Sequence, residues 1–199
     1  MPKVVDPDVR RAQFVAASWS LIAREGIGAA TLRRVSAEAG YTMGALTHYF
    51  DDRDALLVEA LRTTHFAAGA RMLSAAAAAA TPRDRFRAIL LEALPMDDIR
   101  LREWRVWLAF WGEAIARPAL MAENARRYEE WTELVEKALL GLTGATRGRA
   151  KSIVARIDGL GLQITLAGHD AEALAGMRRA ATEEVEILLQ DLEQTAVEV

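Results

Sequence analysis

This chain predicts an all-α fold, and three observations carry the prediction. Alternating Val/Ile/Thr runs of the kind that form half-buried strands are missing. Apolar residues recur at helical spacing along most of the 199 residues. Helix punctuation also repeats, as a cap residue followed by proline at Asp6-Pro7 and Thr81-Pro82, with glycines at helix exits.

The elements follow in order. Asp6-Pro7 opens a helix with Phe14, Ala17, Leu21 and Ile22 on one face, and Gly26 ends it. Thr31 caps a short helix carrying Leu32, Val35 and Ala39, stopped by Gly40. Thr42 caps a second short helix from Met43 to about Tyr49, with Met43, Leu46 and Phe50 spaced to pack inward. Asp52 caps a longer helix running from Arg53 through Leu56, Leu57, Ala60 and Leu61 toward Leu73. The alanine tract 75–80 either extends that helix or forms a compliant connection, because alanine favours helix but offers little to pack. Further helices are expected at about 82–94, 99–116, 119–141, 148–167 and 171–195, broken at Pro95, Pro118, "GLTGATRG" and "AGHD". The domains expected are 1–52, a connecting helix 53–80, and a helical bundle 81–199.

Composition excludes several classes of function. A net charge of −3 is too small for the whole surface to act as a nucleic-acid binder, so any basic surface is local. The absence of cysteine rules out disulfides and thiolate sites. No signal-peptide core or membrane span is legible, and a cytoplasmic protein without membrane contact is expected. The histidines (His48, His65, His169) are scattered, no HExxH or GxSxG occurs, and Asp97-Asp98 read as a helix cap rather than a metal site. An enzyme, a metal and a cofactor are therefore not expected.

The stretch "AGYTMGALTHYF" carries no charged side chain, although a solvated helix normally shows charge. Two short helices joined through Gly40-Tyr41 have helix-turn-helix spacing, whose second helix enters the DNA major groove. Thr42, Ala45, Thr47, His48 and Tyr49 fall on its outer face and suit base edges and thymine methyls. Cations for phosphates lie nearby at Lys3, Arg10, Arg11, Arg33, Arg34 and Arg53. A solvated helical bundle with an ordinary turn fits the same spacing. The longer segment "TLRRVSAEAGYTMGALTHYFDDRDALL" resembles the DNA-binding signature of TetR-type repressors, over roughly Arg10 to Leu61. The resemblance implies that Tyr49 and Arg53 contact phosphates, that the protein is a homodimer, and that an all-helical C-terminal domain binds an effector. Two departures stand out: Thr47 replaces a frequent tyrosine, and Arg53 replaces the usual lysine amid Asp51, Asp52 and Asp54.

In the second half, Trp104, Trp107 and Trp111 fall at i, i+3 and i+7, with Tyr128 and Trp131 on the next helix. Such a stripe is either core or an aromatic cage for a cationic or apolar ligand. "EWRVWLAFW", the Pro118 break, "RRYEEW" and "IDGLGLQ" are similar to the C-terminal domain of the BetI-type branch, the choline-responsive repressors. On that resemblance Asp158 either supplies a carboxylate to a cation or is an ordinary satisfied helix residue. The last two helices carry the stripes Ile153, Ile157, Leu160, Ile164 and Leu174, Met177, Ala181, Val185, Leu188, Leu192. A dimer through Ile157, Gly161, Ile164, Met177, Ala181, Val185 and Leu188 is expected, with the glycine allowing close backbone approach; a monomer using these faces for its own core is the alternative. The function expected is a dimeric repressor released from operator DNA by a small molecule, against a nonenzymatic helical scaffold or an activator.

Overall fold

The computed structural model describes residues 6–143, 147–168 and 170–197. Among them there is no strand. The helices are α1 (Pro7–Glu25), α2 (Leu32–Glu38), α3 (Met43–Thr47), α4 (Arg53–Ala78), α5 (Pro82–Ala93), α6 (Asp98–Ala114), α7 (Pro118–Leu140), α8 (Arg147–Leu166) and α9 (Ala171–Val197), with a 3-10 turn at Ile27–Ala29.

The caps form as their residue types dictate. The Asp6 carboxylate accepts from the Asp8 amide at 3.0 Å, Thr31 from Arg34 at 3.3 Å, Thr42 from Ala45 at 3.2 Å, and Thr81 from Asp84 at 3.0 Å. Asp52 and Asp97 cap α4 and α6 in the same way, at 2.7 and 2.8 Å. Gly40 turns the chain between α2 and α3 at φ 76°, and the Tyr41 amide reaches back to the Ser36 carbonyl at 2.8 Å. That bond pattern needs a left-handed residue at position 40, which glycine adopts without cost.

Two compact units result. The first joins the chain up to His65 with Arg105–Asn124; the second joins Phe66–Trp104 with the chain from Ala125 onward. Sequence reading drew its lines at residues 52 and 80, whereas packing divides α4 after His65 and gives the first unit the α6–α7 corner. The first unit's core unites Phe14, Leu21, Val35, Leu46, Phe50, Leu56 and Leu57 with Val106, Phe110 and Leu120. Arg62 on α4 grips the buried Glu123 carboxylate of α7 with two bonds, 3.1 and 3.0 Å. The second unit's core gathers Phe86 and Leu90 of α5, Val135 and Leu139 of α7, Ile153 and Ile157 of α8, and Val185 and Leu189 of α9.

Met43 departs from its expected place. It is 50% exposed, while Leu46 and Phe50 are buried as expected. The reason is length: α3 spans Met43–Thr47 only, so Met43 is its first residue and stands clear of the platform formed by α1 and α2.

Candidate nucleic-acid interface and aromatic site

The short helix α3 presents a nearly neutral surface. Thr42, Met43, Thr47 and His48 are exposed, with Ala45 and Tyr49 half-buried beside them. The Thr47 hydroxyl donates to the Gly44 carbonyl at 3.2 Å, leaving its lone pairs outward. His48 stands edge-on to Tyr49, with ring centroids 5.4 Å apart. Behind this face the platform is braced by aromatics and cations. Tyr41 and Tyr49 pack on Phe14 at 5.3 and 5.8 Å, and the Tyr41 hydroxyl donates to Gln13 at 2.8 Å. Arg10 lies over the Tyr41 ring and Arg11 over the Phe50 ring, and Arg11 also donates to the Tyr49 carbonyl.

The predicted cations divide into distinct roles. Arg33 is exposed. Arg34 pairs with Glu25 at 2.8 Å, next to an Arg24–Glu38 pair at 3.0 Å. The hydrogen bond from Arg34 is the main reason the Glu25 carboxyl is held below its ordinary range. Lys3 lies outside the described residues. Arg53 is turned inward: its guanidinium donates to the carbonyls of Ile27 and Ala30 and pairs with Glu113. Sequence reasoning assigned it to phosphate, but the folded chain already engages three of its nitrogens. What sequence reasoning missed on this face is Met43, whose signal was its position next to the Thr42 cap.

The aromatic stripe separates. Trp104 belongs to the second unit, where its indole N–H donates to the Ala93 carbonyl at 2.8 Å and the residue is 7% exposed. Trp107 and Trp111 belong to the first unit, where Trp107 meets His65 edge-on at 6.3 Å and Trp111 is half-buried. Tyr128 and Trp131 are half-buried against the second unit's core. The Tyr128 hydroxyl donates to Asp158 at 2.8 Å. Burial pushes the Asp158 carboxyl up to about 6, against the lowering effect of that hydrogen bond. Burial, with the adjacent Asp158 charge, also pushes the Tyr128 phenol well up. The structure therefore brings Tyr128 and Asp158 into contact, with Trp104 and Trp131 in the same unit.

The residues expected to dimerise mostly serve the chain's own core. Ile157, Ile164, Ala181 and Val185 are each 1% exposed and Leu188 is 8%. Gly161 faces the Trp104 indole of its own chain. Met177 alone of that set is open, at 42%. Among the described residues, the large apolar side chains that α8 and α9 leave exposed are instead Leu162, Leu166, Met177 and Ile187. On α8, Ala155, Gly159, Leu162 and Leu166 fall at i, i+4, i+7 and i+11; on α9, Met177, Ala180 and Ile187 fall at i, i+3 and i+10. Each helix thus has a second, weaker stripe beside the strong one that packs inside.

Among the described residues no three His, Cys, Asp or Glu side chains gather as metal ligands, and no helix is long and apolar enough to cross a membrane.

Comparison with known proteins gives the same outline. Residues 14–60 match the family described as bacterial regulatory proteins, tetR family, and residues 82–190 match the BetI-type transcriptional repressor C-terminal family. The chain is 35% identical over 196 residues to the HTH-type transcriptional regulator BetI of Paraburkholderia phymatum, covering 95% of this chain and 97% of that protein. Burkholderia thailandensis BetI is 33% identical, covering 95% and 98%. Among solved structures, a transcriptional regulator from Rhodococcus sp. Rha1 superposes with a TM-score of 0.80 at 26% identity, covering 92% of this chain and 97% of the other. A regulator from Saccharomonospora viridis, solved in complex with choline, superposes at 0.77 with 25% identity, covering 90% and 96%. This chain belongs to the TetR family of bacterial transcriptional regulators, with the C-terminal domain of its BetI-type repressors.

Proposed function

We propose that this protein is a cytoplasmic, nonenzymatic homodimer that represses transcription from an operator and is released by a small cationic effector. The observation carrying the reading is the charge-free outer face of α3, set on a braced helix-turn-helix platform. Residues 1–52 bind DNA, 53–80 carry the connecting helix α4, and 81–199 bind the effector and dimerise. Thr42, Ala45, Thr47 and His48 read base edges, Met43 adds an apolar contact, and Tyr49, Arg33 and Arg34 meet the phosphates. Arg34 leaves Glu25 to do so, an exposed pair whose loss costs little.

The effector site centres on Asp158 and Tyr128, with Trp131 and Trp104 as aromatic neighbours. A quaternary ammonium gains from both a carboxylate and π faces. The choline held by the Saccharomonospora neighbour supports that chemistry. Trp107 and Trp111 pack in the first unit and are not part of this site. The ligand must favour the state unable to bind DNA, because equal affinity for both states shifts nothing.

The dimer forms through the exposed stripes of α8 and α9, which meet the same stripes of a second copy in a four-helix arrangement. Titrating full-length protein against DNA from upstream of its own gene, with and without choline, tests the reading. A sequence-specific complex dissolved by choline is expected. Failure to bind any upstream sequence refutes the repressor reading. Choline-insensitive binding refutes only the effector.

A further inference from the structure

We propose that Arg53 is a positioning residue that clamps the approach to the recognition helices, and not a phosphate ligand. This rests on the DNA-binding reading above. The Arg53 side chain is only 22% exposed, and three of its nitrogens are committed at once. Nε donates to the Ala30 carbonyl at 3.0 Å, Nη2 to the Ile27 carbonyl at 2.6 Å, and Nη1 to Glu113 at 2.9 Å. Ile27 and Ala30 bracket the 3-10 turn, and the next residue, Thr31, is the N-cap of α2. The guanidinium therefore holds the segment that decides where α2 starts, and with it the orientation of α3.

The anchor for this clamp is a series of alternating charges. Glu113 near the end of α6 also accepts from Arg117 Nε at 2.6 Å, and Arg117 Nη1 returns to Asp54 at 2.5 Å, one residue after Arg53. The Arg53 hydrogen bond is the foremost reason the Glu113 carboxyl lies below its ordinary range, with burial opposing it. The planar fork meets two carbonyls and a carboxylate from three separate nitrogens; a lysine ammonium carries its three donors on one atom and cannot span the same acceptors. A phosphate approaching Arg53 also meets Asp51, Asp52 and Asp54, which repel it.

Operator affinity of full-length Arg53→Lys, Arg53→Ala and Glu113→Gln, measured across a salt series, tests the assignment. A clamp predicts that all three lose roughly tenfold or more, the usual scale for losing charged hydrogen bonds. The slope of log K against log salt stays at its wild-type value, because no phosphate contact has gone. A phosphate ligand predicts the reverse: Arg53→Lys retains affinity, Arg53→Ala lowers the slope by about one, and Glu113→Gln binds as well or better. Any of these three results overturns the proposal. If the Arg53 variants do not fold, as judged by circular dichroism, Glu113→Gln decides alone by the same criteria. Hydrogen exchange of residues 27–35 in DNA-free Glu113→Gln separates the clamp from the DNA-binding reading. Faster exchange there supports the clamp even if no operator is found, and unchanged exchange overturns it.

Discussion

A β-carbon built on Gly161 stands 2.1 Å from both Cη2 and Cζ2 of Trp104, a separation no folded protein tolerates. The obstacle is a rigid indole whose N–H is already held by Ala93. Gly161→Ala is therefore expected to lower stability by about 1–3 kcal/mol, the usual cost of overpacking. A thermal melt checks this, and Trp104→Leu in the same chain should recover part of the loss. Met43 makes the complementary case, a side chain left open. Replacing operator thymines by uracil, which removes only the methyl group, should cost about 0.8 kcal/mol at the position Met43 covers. Met43→Ala should erase that difference. Asp158 adds a dependence on pH. Its folded pKa of about 6 lies above the ordinary 3.8, so the folded chain binds this proton more tightly than the unfolded one. Its contribution to stability is fully present below about 3.8 and is lost as pH rises through 6. Asp158→Asn should then raise the melting temperature at pH 8 and weaken choline binding, while wild-type choline affinity should fall as pH drops below about 6.

At the scale of elements, boundaries were legible because caps are local. Asp6, Thr31, Thr42, Asp52, Thr81 and Asp97 each name a helix start through their own side-chain chemistry. The faces of α8 and α9 were harder to read. Periodicity marks the strongest apolar stripe but is silent on whether it meets the same chain or a second one. Ile157, Ile164, Val185 and Leu188 are indeed a stripe, and they close the chain's own core. The open stripe runs through Leu162, Leu166, Met177 and Ile187. The two carry different expectations. Leu188→Glu buries an unpaired charge and should unfold the second unit. Leu162→Glu with Ile187→Glu should instead yield a folded monomer with weakened operator binding. Sedimentation velocity and circular dichroism on both variants distinguish these outcomes.

For the whole molecule, which residues join which unit was not legible, because it depends on contacts between residues far apart in sequence. Nothing in the spacing of "EWRVWLAFW" says that Trp104 belongs to one unit while Val106, Trp107 and Phe110 join the core of the other. A helix passing through two cores carries a continuous apolar pattern, and this one read as a single aromatic stripe. Arg53 hid its role for the same reason: its partner Glu113 lies 60 residues away. The cores themselves make a prediction. Phe110→Ala should cost about 3–5 kcal/mol and impair operator binding, although residue 110 lies far outside the first 52. Equilibrium unfolding and a mobility shift on one preparation test both parts.

Phe110, Ala114 and Leu120 also set a timetable. A ribosome that has released the first 65 residues has made every helix of the helix-turn-helix but not the wall those helices close against. The nascent segment must wait for about 60 further residues before its apolar interior is sealed, several seconds at ordinary elongation rates. During that wait it offers Leu57 and Leu61 to chaperones and proteases. Excised as a fragment, residues 1–65 should remain a loosely packed species that a peptide spanning 105–124 restores to order.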